Sequence, residues 1–231
     1  MSDTTAVNQA HFNKLAAEYN SRYQKTVGKL EEEVRASVDF IGVKKGGRLL
    51  DYACGTGLLS RALGDSLSQC IGIDVSESMV EAYNAKARSQ GFSPDQRIAH
   101  VGNLIDPSEP SPAAFSSTPF SDFDVAGVGA GFHHFDDCHL AARRLTQRLR
   151  PGGVLFILDF VTHAADPAHA DARGVRHHGF SEAQMRDVFG GAGVGTRFAF
   201  REMEEDVVFE NAHGEGRDMV RRVFFARGEK A

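Results

Sequence analysis

Leu49–Ser60 reads LLDYACGTGLLS. An apolar run ends in an acid, Asp51, two glycines follow at Gly55 and Gly57, and a second apolar run begins at Leu58. That order is strand, turn and helix. Gly55 and Gly57 permit backbone angles and a close approach that a side chain blocks, and the helix behind them turns free N–H groups toward whatever lies above. In an open parallel sheet, ligands settle beyond the carboxyl ends of the strands where the strand order reverses. Asp74 ends a second buried stretch, QCIGIDV, 19 residues after Gly55, where an acid can hydrogen-bond the hydroxyls of a ribose. Two glycines alone are a turn that any α/β protein can own; with Asp51 and Asp74 in place they describe a nucleoside site.

The letters also exclude two common nucleotide loops. A dinucleotide fingerprint needs a third glycine where this chain has Ser60, and no Gly-Lys-Ser/Thr of a P-loop follows. A carboxylate such as Asp51 would repel a pyrophosphate and favour a ligand carrying a positive amino or sulfonium group.

Outward from this stretch the chain alternates. Helical spacing runs from Ala10 to about Gln24 and from Leu30 to Ile41, so two helices precede the strand GGRLLDYA. GLLSRALGDSL is a helix and QCIGIDV a strand; Ser76 then caps the helix ESMVEAYNAKARSQ, which Gly91 ends, and RIAHV is the third strand. From Asp106 to Ser121, DPSEPSPAAFSSTPFS reads as a surface loop or frayed insertion in place of a crossover helix. Order resumes in FDVAGVGAG, the helix DDCHLAARRLTQRLR, the turn PGG and the strand VLFILDF. Strands alternating with helices predict an α/β, Rossmann-like, doubly wound and mostly parallel sheet. In the tail, Ser181 and Gln184 form a capping box, and GTRFAFREM and RDMVRRVFFARG predict an antiparallel C-terminal edge pair. The expected organisation is a single domain over 1–231: an N-terminal helical cap (1–45), a cofactor-binding core (46–160), and a substrate loop with C-terminal strands (161–231).

Composition bounds the function. The 231 residues, 42% of them hydrophobic, suffice for one sizeable core. Lys and Arg number 26 against 31 acids, a net charge of −5 that argues against a nucleic-acid partner. No apolar run approaches the ~20 residues of a membrane helix, and the start lacks the pattern of a signal peptide, so a cytoplasmic protein without membrane association is expected. Cys54, Cys70 and Cys138 form no CxxC pair, so reduced core residues are expected and no metal site.

LLDYACGTGLLSRAL resembles the first motif of class I S-adenosylmethionine-dependent methyltransferases, acid-x-Gly-x-Gly-x-Gly, with Ala53 where the first glycine is commonest. GIDVSESMVEAYNAKA is similar to the family's second segment, which gives Asp74 the ribose hydroxyls and Val75 and Met79 the adenine faces. VGNLIDP puts Asn103, with Leu104 beside it, where the family usually has an acid that accepts from the adenine amino group. LRPGGVLFILDF resembles the family's turn and fifth strand, and the match covers about Phe12 to Asp159. FNKLAAEYNSRY resembles the segment before the sheet in ubiquinone-type small-molecule members, in which Tyr19 would lean over the cofactor; the alternative is a helix that only packs. The resemblance implies a seven-stranded sheet and S-adenosyl-L-methionine as cofactor, with S-adenosyl-L-homocysteine as product.

Methyl transfer is an in-line displacement, in which alignment can supply ~7–11 kcal/mol. The acceptor must still lose a proton, and histidine is the usual agent. In GVGAGFHHFDD, Gly129 and its neighbours let the backbone pass the methionine end of the cofactor, and His133 and His134 follow. A histidine at the second position is common in the resembling enzymes, so His134 is the preferred base. His163, His169, His177 and His178 crowd the loop after the fifth strand, where His178 or His177 can meet an acceptor, or where all four simply face solvent. The expected function is methyl transfer to an O, N, S or C atom of a small molecule by a monomer or homodimer. The alternative is a catalytically inactive S-adenosylmethionine-binding sensor or assembly protein, favoured by Asn103 and the irregular 106–121 stretch. Methylation of protein or RNA has only RRLTQRLR in its support, which reads as a solvated helix face.

Overall fold

The computed structural model describes residues 3–164, 174–212 and 216–231. Three helices come first: α1 (Asp3–Arg22), α2 (Gln24–Ala36) and the single turn α3 (Val38–Ile41). There follow β1 (Gly47–Tyr52), α4 (Leu58–Leu63), β2 (Leu67–Asp74), α5 (Glu77–Ser89), β3 (Arg97–Val101), β4 (Phe123–Gly129), α6 (Cys138–Gln147) and β5 (Leu149–Phe160). Then come α7 (Glu182–Gly191), β6 (Thr196–Glu202), the short strands β7 (Val207–Phe209) and β8 (Met219–Arg221), and β9 (Val223–Glu229).

Seven strands form one sheet in the order β3-β2-β1-β4-β5-β9-β6. The pairings from β3 to β5 are parallel, whereas β9 runs against both β5 and β6. Both faces are covered, which is why β4 and β5 are buried runs rather than alternating strands. On one face α6 and α7 bring Ala141, Leu145, Met185 and Phe189 to the core; on the other, α2 and α4 bring Leu30, Val34, Leu59 and Leu63. The mostly parallel sheet and its antiparallel edge pair are as the sequence predicts.

Three details differ. Helix α1 begins at Asp3, well before Ala10, and in this added stretch Asn8 and Gln9 donate to the His134 carbonyl and to Glu77, polar ties that hydropathy does not register. The 106–121 segment has no crossover helix but is ordered, not frayed: Phe115 is buried, Gly102 leaves room for its ring, and Arg48 and Arg148 donate to the carbonyls of Ser121 and Phe120 at 2.8 and 3.0 Å. The stretch RDMVRRVFFARG, expected as one strand of the edge pair, divides into β8 and β9, and β8 pairs with β7 in an antiparallel ribbon whose Phe209 and Met219 face the site described next. No helix among the described residues is long and apolar enough to cross a membrane.

Candidate active site

The strand order reverses between β1 and β4, and there the opening stretch is clipped to itself. Ser60, fully buried, donates its N–H and its hydroxyl to Asp51 Oδ2 at 3.0 and 2.7 Å, while the Tyr83 hydroxyl donates to Ser60 Oγ at 2.8 Å. The serine standing where a dinucleotide loop has its third glycine is thus the middle of a Tyr83–Ser60–Asp51 chain. Two residues expected at the cofactor have packing partners here. Asp51 lies beneath the turn, where its bonds from Ser60 tie β1 to α4, and it is not among the residues that wall the cleft. Gly57 does not line the cleft either; at φ +94° it makes room for Tyr83, whose ring would lie 2.7 Å from an added Cβ. Ala53 adopts φ +51°, which explains why glycine is commonest there in the resembling motif.

Burial pushes the Asp51 carboxyl up to about 7, against the lowering by the Ser60 hydroxyl and amide. In the unfolded chain the same group titrates near 4. A folded pKa above the unfolded one means that stability is full below about pH 4 and falls as pH rises toward about 7. Asp51→Asn keeps an acceptor for Ser60 and removes the charge, so denaturant melts from pH 4 to 8 should show a flatter profile. The variant is expected to gain on the wild type at pH 8 by an amount on the order of 1 kcal/mol or more.

Above the turn, Asp74 ends β2 with Oδ2 accepting from Gly55 N at 2.8 Å and Oδ1 from Ser76 N at 2.9 Å. These two bonds aim the carboxylate into a cleft of roughly 700 Å³ walled by Ala53, Gly55, Val75, Met79 and Gly129. A Cβ on Gly55 would meet nothing within 4 Å, so the backbone there lies open to a ligand. Asp74, Ala53 and Val75 also border a neighbouring hollow of roughly 840 Å³ with Tyr52, Ile105 and Phe135, of a character suited to a flat base. Among the described residues, the one guanidinium on the cleft, Arg61, is engaged by Glu31 at 2.6 Å and donates to the Thr56 carbonyl. A carboxylate, an open glycine backbone and an apolar hollow fit a nucleoside without pyrophosphate, as S-adenosylmethionine is.

The two residues expected at the adenine are already bonded within the protein. Asn103 borders the hollow, but its Oδ1 already accepts from the Tyr52 hydroxyl at 3.0 Å and from Ile105 N at 2.9 Å. It braces the loop and is poorly placed to take an amino group as well. Leu104 is buried in the hydrophobic core, away from the cleft, and donates its N–H to the Tyr52 hydroxyl at 3.2 Å.

A third space of roughly 1060 Å³ adjoins the cleft through Phe12, Tyr19, Leu58, Ala130 and His134, which border both. Tyr19 borders both: its ring meets Tyr23 edge-on at 5.2 Å, and burial, with Tyr23 beside it, pushes its hydroxyl up to about 12. The walls are largely apolar, with Phe160 and Phe209 facing it, and His163, His177 and His178 at its edge. His177 Nε2 lies 2.9 Å from the Phe135 carbonyl, and His178 accepts from His163 N at 2.9 Å through its own carbonyl. His169 lies outside the described residues.

His133 and His134 differ sharply. His134, the preferred base from sequence, places Nδ1 3.1 Å from the Gly174 carbonyl, and its ring meets Phe12 edge-on at 5.3 Å. His133 places Nδ1 2.8 Å from Oδ1 of Asp159, a fully buried carboxylate at the end of β5 that also accepts from the His133 and Phe160 amides. A carboxylate only accepts, so in this bond Nδ1 is the donor, and a neutral imidazole held this way has its lone pair on Nε2. Sequence reasoning missed Asp159, although an acid within VLFILDF, otherwise apolar, was a signal. Among the described residues, no group of His, Cys, Asp and Glu is arranged to hold a metal.

A family model described as a methyltransferase domain matches residues 26–197. The chain belongs to the class I methyltransferase family. This methyltransferase is 30% identical over 177 residues to the uncharacterized methyltransferase C1347.09 of Schizosaccharomyces pombe, covering 73% of this chain and 61% of that one. It is 32% identical over 139 residues to the ubiquinone/menaquinone biosynthesis C-methyltransferase UbiE of Cronobacter sakazakii, covering 58% of this chain and 50% of that one. The aligned part thus spans between half and two thirds of these relatives' length. In fold it is similar to phosphoethanolamine N-methyltransferase 2 of Haemonchus contortus, solved in complex with S-adenosyl-L-methionine, with a TM-score of 0.62, 15% identity, and coverage of 86% of this chain and 52% of that one.

Proposed function

We propose that this methyltransferase moves a methyl group from S-adenosylmethionine to a protic atom of a small, largely apolar molecule, with His133 as general base. The observation that carries this is the His133–Asp159 pair at an apolar cavity that opens into the cofactor cleft. Bound S-adenosylmethionine supplies an electrophilic methyl group. The chain's own residues do the rest. Asp74 holds the ribose hydroxyls, Val75 and Met79 flank the adenine, and the open backbone at Gly55 admits the cofactor closely, with Gly129 on the wall of the same cleft. Asp159 fixes the His133 tautomer, and Nε2 takes the acceptor proton. The apolar walls keep water from competing for that proton. His134 and His178 shape the acceptor space, and Tyr19 separates it from the cofactor.

The rival reading, a sensor without activity, drew on Asn103 and the 106–121 segment. Both now have structural roles, and a sensor gives no account of a buried acid–histidine pair. One experiment separates the readings. Titrating the protein with S-adenosylmethionine by calorimetry should show binding that Asp74→Ala weakens by roughly 1–3 kcal/mol, since the hydroxyls lose a charged acceptor. Unchanged affinity would remove Asp74 from the site. Labelled methyl transfer to a panel of phenols, enols, thiols, amines and carboxylic acids should then find an acceptor; tight binding with no transfer to any of them favours the sensor.

A further inference from the structure

The acceptor cavity carries a charge pattern that methyl transfer by itself does not call for. Among the described residues that line it, the polar side chains are two tyrosines, six histidines and one arginine, Arg221, with no aspartate, glutamate or lysine. Each of these groups can donate a hydrogen bond, and Arg221 holds a permanent positive charge. The chain as a whole is acidic, with a net charge of −5, so this lining is no sample of its surface. Asp159 does not offset it, since that carboxylate is fully buried and bonded to His133 and to two backbone amides.

Arg221 ends β8, two residues before Val223, which pairs with Phe160 at the end of β5. Its neighbour Arg222 turns to acids, bonding Asp206 and pairing with Glu202, whereas Arg221 borders the cavity. Burial above all, and the Arg221 charge as well, hold His163 below the ordinary histidine value, so the two lie close. The rings of His133 and His163 both pack on Phe160, at 5.1 and 6.4 Å between centroids, which brings the base and the guanidinium to one wall. We propose that Arg221 is the specificity anchor of this cavity, and that the acceptor is a carboxylic acid: a largely apolar molecule whose carboxylate Arg221 holds while a second, protic group meets His133. This rests on the reading of the cavity as the acceptor site. A planar guanidinium matches the two oxygens of a carboxylate. One negative charge balances one positive charge, whereas a phosphate dianion would leave a second charge against apolar walls, where it is costly. In transfer the protic atom takes the methyl group from the sulfonium, its proton passes to His133 Nε2, S-adenosylhomocysteine is left, and the carboxylate is unchanged.

Matched pairs test this: para-hydroxybenzoate and para-hydroxycinnamate, each against its primary amide, which keeps the shape and the phenol and drops the charge. Calorimetry on protein saturated with S-adenosyl-L-homocysteine reads binding, and labelled transfer from S-adenosylmethionine reads kcat/KM. Wild type should favour each acid over its amide by about tenfold or more, the worth of a charged hydrogen-bonded pair. That preference should disappear in Arg221→Gln and partly return in Arg221→Lys. In Arg222→Gln, whose charge lies outside the cavity, it should stand as in wild type. Comparing acid with amide within each variant cancels any loss of folded protein. No binding of either acid, no preference for acid over amide, or a preference that survives Arg221→Gln overturns the proposal. Acids bound through Arg221 but never methylated would leave the carboxylate site standing and overturn instead the methyl-transfer reading beneath it.

Discussion

His133→Asn is expected to lower turnover by roughly 10²–10⁴-fold while leaving the affinity for S-adenosylmethionine within about twofold of wild type. Asparagine is the informative replacement because its Nδ2 stands close to where imidazole Nδ1 stood. It still donates to Asp159, which is fully buried and would otherwise lose a partner. What disappears is the lone pair on Nε2. Single-turnover rates with a fixed acceptor, set beside calorimetry of the cofactor, measure the two effects separately. His134→Asn should cost far less, since that ring is bonded to the Gly174 carbonyl and packed on Phe12. A full rate in His133→Asn would remove the base from the mechanism and leave alignment alone to account for transfer.

Gly57→Ala is expected to be the most damaging single methyl group that can be added near the site. The new Cβ would lie 2.7 Å from Cδ2 and Cε2 of Tyr83, a ring buried between α5 and the turn, and its residue would have to hold φ +94°. Tyr83 cannot retreat without giving up its bond to Ser60, and Ser60 in turn anchors Asp51. Overpacking and a positive φ together cost about 3 kcal/mol or more, or roughly a 10 °C fall in melting temperature for a chain of this size. Gly55→Ala, two residues away, is the control. Its Cβ enters open space, so the same melts should show a smaller fall, set mainly by φ +50°, while cofactor binding suffers from the lost approach. Equal stability of Gly57→Ala and wild type would mean that the turn is far softer than its packing implies.

These two positions also mark how far the sequence could be read. The mostly parallel sheet, its antiparallel edge pair and the acid that ends β2 followed from period, spacing and the resemblance, because apolar runs and glycine turns are local signals. Gly57 was recognisable as necessary, but the reason lay in Tyr83, 26 positions along the chain, and no local pattern records that a ring will settle on a backbone. Asp51 is alike: its charge was legible and its bonds to Ser60 were not. Between two adjacent histidines, sequence had only the habits of similar enzymes to choose by, and the choice turned on Asp159, which meets His133 only after β4 and β5 have paired. Asn103 looked like a weakened adenine contact until its oxygen proved to be filled by Tyr52 and Ile105.

Cys54 sits in the first turn of the motif and borders the cleft, beside the place proposed for a reagent that alkylates sulfur readily. A thiolate there would be the enzyme's own first victim. The structure disarms it: the side chain is buried against Gly72, and burial, reinforced by the nearby Asp74 and Asp51 carboxylates, drives its pKa well above the ordinary thiol value. Held as a neutral thiol, it has little nucleophilicity to offer. The acids that ready the turn for its ligand therefore also protect the catalyst from suicide alkylation, and the smallest side chain with a sulfur can fill space next to a methyl donor without being consumed by it.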